Sequence, residues 1–186
     1  MGRMFNGCTG TNVNLDLSHF NVSSLTPGDT SLYHMFEEST FASLTIDGWE
    51  FPTGDFNFRG WLNKANIPSI TIKNFKVNGN VELGGTSYTS GMFSTCSHTT
   101  SIDLSGWNIS GSITTTQYMF YRCSSLQNLD ISGFDLTSIT TYTDMFGGTS
   151  SSYRVPYNCV ILVKDQASKD WMTTNFPNYT NVQIKA

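Results

Sequence analysis

The side chains of this sequence that could do chemistry are four cysteines, three histidines and a spaced set of aspartates and tyrosines. Cys8, Cys96, Cys123 and Cys159 could form two disulfides or, with histidine, a metal site. His98 stands two residues from Cys96, but that step does not oblige the two side chains to face each other. His19, His34 and His98 fall at unrelated places in the chain's internal repeat. A catalytic site needs a nucleophile, a base and an orienting group brought together, and no motif of that kind is present. The chain therefore reads as non-catalytic, without metal or cofactor.

The spacing of the cysteines says what they are for. Cys8, Cys96 and Cys123 each lie four residues after a methionine (Met4, Met92, Met119), and Ser39, Ala65 and Thr149 take that slot elsewhere. A slot that accepts Cys, Ser, Ala and Thr selects for small size, so these thiols read as core, and Cys159 with them. Stacked Cys96 and Cys123 would sit about one strand spacing apart, a ladder geometry that disfavours a bridge.

Asp16, Asp103 and Asp130 share one register, between two inward apolar residues, and so point outward. In a parallel stack Asp103 and Asp130 would lie roughly 5 Å apart. They would bind a cation or basic partner there, or accept hydrogen bonds from nearby turn N–H groups. Thr45 and Thr71 interrupt the column, which favours the local role. Tyr33, Tyr88, Tyr118 and Tyr142 lie one to four residues before the repeat heads, in Ser/Thr-rich loops. Tyrosine in that setting supplies amphipathic contact area. With Asp103 and Asp130 they are the candidate ligand-binding residues. Asn21-Val22-Ser23, Asn108-Ile109-Ser110 and Asn178-Tyr179-Thr180 match glycosylation acceptors, a weak signal in so Asn/Ser/Thr-rich a chain.

The elements that must position these residues repeat. The heads are Met4-Phe5, Met35-Phe36, Trp61-Leu62, Met92-Phe93, Met119-Phe120 and Met145-Phe146, with Met92, Met119 and Met145 spaced 27 and 26 residues apart. Each head, with its small fourth residue, has a spacing that predicts one or two helical turns packing inward. Then come alternating strands beginning at Leu15, Leu44, Ile70, Ile102 and Leu129, at intervals of 29, 26, 32 and 27. An aromatic follows each strand: Phe20, Trp49, Phe75, Trp107 and Phe134. A sugar-stacking platform is conceivable for that column, but its presence in every copy marks an inner layer. A period in the twenties with fixed aliphatic offsets signifies a leucine-rich-repeat-like solenoid, whose coils bury their apolar faces only by stacking.

The expected fold is thus an α/β repeat solenoid, a right-handed coil of short parallel strands and short helices. It has about six coils over residues 1–146, starting near Met4, Met35, Trp61, Met92, Met119 and Met145. The longer intervals place insertions at Thr26–Thr30 and Glu82–Tyr88. Residues 147–186 read as a C-terminal cap: a strand at Cys159–Lys164, an Asp165 N-cap, a helix from Gln166 to about Asn175, and a strand at Val182–Ile184. The chain opens mid-phrase at Met4-Phe5, so preceding coils or a second copy are expected at that end. In the coil headed by Met119 the repeat leaves only Tyr118, Arg122, Gln127, Asp130 and the 137–143 loop outside the core.

Composition narrows the partner. Charged residues are 13% of the chain and the net charge is -4. The ten Lys and Arg are scattered, so no basic stripe exists to neutralise nucleic-acid phosphates. No apolar run reaches membrane-spanning length, and no secretory signal precedes the first repeat. Export information, if used, would lie upstream in a longer parent chain.

The phrase Met119-Phe-x-x-Cys123-x-x-Leu126-x-x-Leu129-Asp130-x-Ser132-x-Phe134 resembles the repeat of BspA-like leucine-rich-repeat surface proteins, and Val163-Lys164-Asp165 … Trp171 … Phe176 resembles the end of such arrays. The resemblance covers nearly the whole chain and is closest over Met92 to Met145. It departs at Trp61-Leu62 and Lys73. It implies a non-catalytic recognition or adhesion module, extracellular or on a bacterial cell surface, binding protein or glycan through the sheet face or loop edge. The alternative it implies is a structural or receptor-binding protein of a phage or mobile element. A wall-anchor sequence in the parent gene would favour the first, and neighbouring tail genes the second.

Overall fold

The repeat closes into a parallel β-solenoid, seen in a computed structural model that describes residues 2–28 and 32–186. Asp29 and Thr30 of the first expected insertion lie outside the described residues. In chain order the strands are β1 (Thr9–Asp16), β2 (Thr40–Asp47), β3 (Phe56–Asn57), β4 (Ser69–Lys73), β5 (Lys76–Val77), β6 (Val81–Glu82), β7 (Ser101–Asp103), β8 (Asn108–Ile109), β9 (Ile113–Thr115), β10 (Asn128–Asp130), β11 (Val160–Val163) and β12 (Val182–Ile184). One α-helix, α1 (Gln166–Asn175), lies between the last two. The main sheet runs β1-β2-β4-β7-β10-β11-β12, all parallel. Smaller parallel sheets, β3-β6-β9 and β5-β8, form other sides of the coil.

Register follows the aliphatic spacing. Leu15, Leu44, Ile70, Ile102, Leu129, Ile161 and Val182 stand side by side on neighbouring strands. From Leu44 onward these residues are buried, and each aliphatic side chain so buried contributes about 1.5–3 kcal/mol. Behind them Trp49, Phe75, Trp107 and Phe134 form a continuous aromatic ladder, with centroids 4.7–5.7 Å apart. The Trp49 and Trp107 indoles donate to the Leu17 and Ile72 carbonyls of the preceding coils, at 2.8 and 2.7 Å.

The heads are not helical. In an α-helix every N–H bonds back along its own chain, to residue i−4. Here the N–H groups of Phe5, Phe36, Leu62, Phe93 and Phe120 donate sideways, to the carbonyls of Met35, Trp61, Met92, Met119 and Met145 in the next coil, at 2.8–2.9 Å. Only some groups, such as the N–H of Cys96 and Cys123, close turns within the coil onto Phe93 and Phe120. At most heads the residue just before and the residue three after the head position take left-handed φ of 50° to 65°, among them His34, Tyr118, Thr95 and Arg122. Left-handed residues at that spacing break a helix and aim alternate N–H groups at the neighbouring coil. The expected short helices are therefore turns.

Among the described residues the one α-helix sits in the tail. Asp165 caps it, accepting from the Ser168 N–H at 2.8 Å, and Met172 is buried beneath it. At the other end of the stack, Phe20 and Cys8, both expected in the core, are exposed, as are Met4 and Val13. In inner coils these slots are covered by the same slot of a neighbour. β1 is the edge strand of the described sheet.

Candidate functional site

The head turns line one edge of the solenoid, and over the fourth to sixth heads that edge is aromatic. In the second, third, fifth and sixth coils the head methionine or tryptophan N–H closes a turn on the residue three before it, as Met35 does on Leu32 and Met119 on Thr116. In the fourth coil the Met92 N–H instead reaches the Leu83 carbonyl at 2.9 Å, so residues 84–91 are extruded as a loop. The loop presents Tyr88, 53% exposed, with the Ser94 hydroxyl donating to the Tyr88 carbonyl. Its two feet are glycines against the backbone of the next coil: a Cβ on Gly84 would lie 2.1 Å from the Gln117 oxygen, and one on Gly91 1.8 Å from the Tyr118 oxygen. The second expected insertion is thus 84–91, with Val81–Glu82 kept as strand.

Tyr88 meets Tyr121 at 5.9 Å between centroids, Tyr118 meets Tyr121 at 5.6 Å, and Tyr153 stacks on Tyr121 at 5.9 Å. Arg122 lies among them, its guanidinium carbon 4.4 Å from the Tyr153 centroid, 5.4 Å from Tyr121 and 5.9 Å from Tyr88. The Arg122 N–H donates to the Tyr153 carbonyl at 3.2 Å, which fixes the short 3-10 segment carrying Tyr153 against the turn. Each cation–ring contact of this kind contributes about 0.5–2 kcal/mol, depending on desolvation.

The sequence candidates divide. Tyr88 and Tyr118 join this patch. Tyr33 stands on an earlier head, its ring perpendicular to His34. Tyr142 packs edge-on to Trp171 and Phe176 and donates to the Asn175 Oδ1 at 2.8 Å, tethering α1 to the stack. Asp103 and Asp130 stand in register on the sheet face, where each accepts the N–H of the serine two residues on, Ser105 and Ser132, at 2.9 Å. Asp16 does the same with Ser18, whose hydroxyl and N–H hold that carboxyl below its ordinary range. Asp130 is nearly buried, and Lys185 reaches its other oxygen at 2.6 Å, compensating the charge beside Asp103. The aspartate column thus ends strands with local turns. Of the other members, Tyr121 and Tyr153 are not among the sequence candidates, whereas Arg122 is. Arg122 is one of the spacers the repeat leaves outside the core, Tyr121 sits beside it, and Tyr153 has no place in the repeat at all.

Three of the four thiols are inert by position. Cys96 and Cys123 donate to the Leu62 and Phe93 carbonyls at 3.0 and 3.2 Å. Burial pushes Cys96 and Cys159 up to about 12 and Cys123 well above the ordinary thiol value. All four are unpaired and Cys8 is exposed. A thiol reagent such as Ellman's is therefore expected to modify one cysteine per native chain quickly and the other three only on unfolding. Fast reaction of more than one would contradict this placement.

His34 is buried at the second head, its Nδ1 3.0 Å from a Glu37 oxygen, and a Cβ on Gly60 would strike its ring at 2.6 Å. Burial pushes its pKa down, Glu37 pulls it part of the way back, and Arg3 opposes it. A folded-state pKa below the unfolded value means that the unfolded chain binds the proton more readily. Stability from this site is then complete above the unfolded value of about 6.5 and is lost as pH falls below it. The midpoint of urea unfolding is expected to drop between pH 7 and 5 more steeply in the wild type than in His34→Gln. Equal slopes would remove His34 from the account.

Among the described residues no three His, Cys, Asp or Glu side chains are grouped to hold a metal ion, and no helix is long and apolar enough to cross a membrane. A hollow of about 140 Å³ on the β3-β6-β9 side is lined by Asp55 and Glu82, which already engage Asn80 and Arg59.

Fold and repeat together define a parallel β-solenoid of the leucine-rich-repeat-like kind. The model of the family described as "Mycoplasma protein of unknown function, DUF285" matches residues 1–75 and 30–158, and the chain belongs to that family. No curated protein and no solved structure gives a significant match.

Proposed function

We propose that this solenoid is a non-catalytic recognition module, akin to BspA-like surface proteins, that works outside the cell and binds a protein or glycan through its head-turn edge. The observation that carries the reading is the cluster of Tyr88, Tyr118, Tyr121 and Tyr153 around Arg122. Tyrosine and arginine are the residues that dominate recognition surfaces. Here they gather on one edge of a chain whose charged share is only 13%. The stacked coils behind them hold that edge rigid, so little ordering is left for binding to offset. The test is an array of glycans and extracellular matrix proteins probed with the wild type and with Tyr88→Ala/Tyr121→Ala. Binding by the wild type and its loss in the double variant, with an unchanged unfolding midpoint, is expected. Equal binding by both would move the site elsewhere on the solenoid.

A further inference from the structure

We infer that the Arg122 patch takes an acidic sugar, its carboxylate on the guanidinium and its ring against the surrounding tyrosines; this rests on the recognition reading above. Three observations point to that chemistry. First, Arg122 forms no ion pair and no side-chain hydrogen bond among the described residues, whereas Lys64, the equivalent residue two heads earlier, is paired with Glu38 at 2.7 Å. The Nε of Arg122 is covered and without a partner, while its two terminal nitrogens are not covered. A guanidinium desolvated on its flank and open at its tip is a preorganised receptor for a planar anion, which it can bind through two parallel hydrogen bonds. Second, the phenolic hydroxyls of Tyr88, Tyr118, Tyr121 and Tyr153 bond to no other described residue. Each can both donate and accept, as the hydroxyls of a sugar do. Third, there is one cation among several rings. A polyanionic peptide would need many cations, whereas one carboxylate per few sugar rings matches one guanidinium flanked by stacking faces.

The experiment is calorimetric titration of the full chain with four probes: a hyaluronan octasaccharide, a heparin octasaccharide, the neutral chitohexaose and a poly-glutamate peptide. Hyaluronan, whose only anions are ring carboxylates, is expected to bind best. Its affinity should fall at least tenfold in Arg122→Gln and less in Arg122→Lys, which keeps the charge without the fork. Far-ultraviolet dichroism and thermal unfolding of both variants confirm the fold. Failure of hyaluronan to bind, tighter binding of poly-glutamate, tighter binding of the sulfated heparin, or equal affinity of wild type and Arg122→Gln for hyaluronan would each overturn the assignment of a sugar held by its carboxylate. The recognition reading would survive all of these if the wild type bound chitohexaose or a matrix protein and lost it with Tyr88→Ala/Tyr121→Ala.

Discussion

Replacing Gly91 with alanine is expected to destabilise the protein by about 4 kcal/mol, at the severe end for a single methyl group. The added carbon would lie 1.8 Å from the Tyr118 oxygen, 2.4 Å from its carbon and 3.0 Å from the Met119 nitrogen. All three atoms are backbone, so no side chain can swing aside. The fourth and fifth coils would have to separate there, breaking the rung from the Phe93 N–H to the Met119 carbonyl. In a solenoid each coil is held only by its neighbours, so a broken rung divides the stack in two. The thermal midpoint should fall by roughly 10 °C, and proteases should cut near the 84–91 loop. Gly148→Ala, where the added carbon meets nothing within 4 Å, is the control and should change little. A Gly91→Ala protein as stable as the control would mean that the coils are not packed at this distance.

Phe75→Ala is expected to cost about 3–5 kcal/mol, the usual range for truncating a buried phenylalanine. Phe75 is fully buried and touches Trp49, Phe51, Phe58, Trp61 and Trp107, with ring centroids 4.7–6.3 Å away. Those partners come from several coils and from two sides of the cross-section, so the cavity cannot be filled by one neighbour turning inward. Edge-to-face and stacked contacts are lost besides buried area. Urea unfolding measures the loss. Phe20, the exposed member of the same sequence column, supplies the internal comparison: Phe20→Ala should shift stability by less than about 1 kcal/mol. Similar losses at the two positions would show that the aromatic ladder does not bear the load assigned to it.

What the sequence determined by itself is what repeats. The aliphatic pair of each strand, the aromatic after it, the small slot of Cys96 and Cys123 and the Asp165 cap are all set by local pattern. Because every coil must present the same inward residues to its neighbour, a periodic sequence has one stacking register, and Leu15 to Val182 stand in it. Backbone direction inside the heads was not legible. The Met-Phe spacing suits a helical turn, but whether an N–H bonds along its chain or across to the next depends on the neighbour's presence. Only the tertiary structure decided for the sideways bond. An open apolar end at the first coil is legible from the mid-phrase start, but which side chains it bares is not, because Phe20 and Cys8 have the same local pattern as their buried counterparts and differ only in that no described coil stacks over them.

The candidate site was half visible for the same reason. Tyr88 and Tyr118 stood out as tyrosines before repeat heads. Tyr142 did too, yet the structure turns it toward α1, a partner 33 residues away at Asn175. Tyr121 and Arg122 follow a head, and Tyr153 lies beyond the last regular phrase. What brings them together is stacking distance across three coils, a quantity that no single coil's sequence contains.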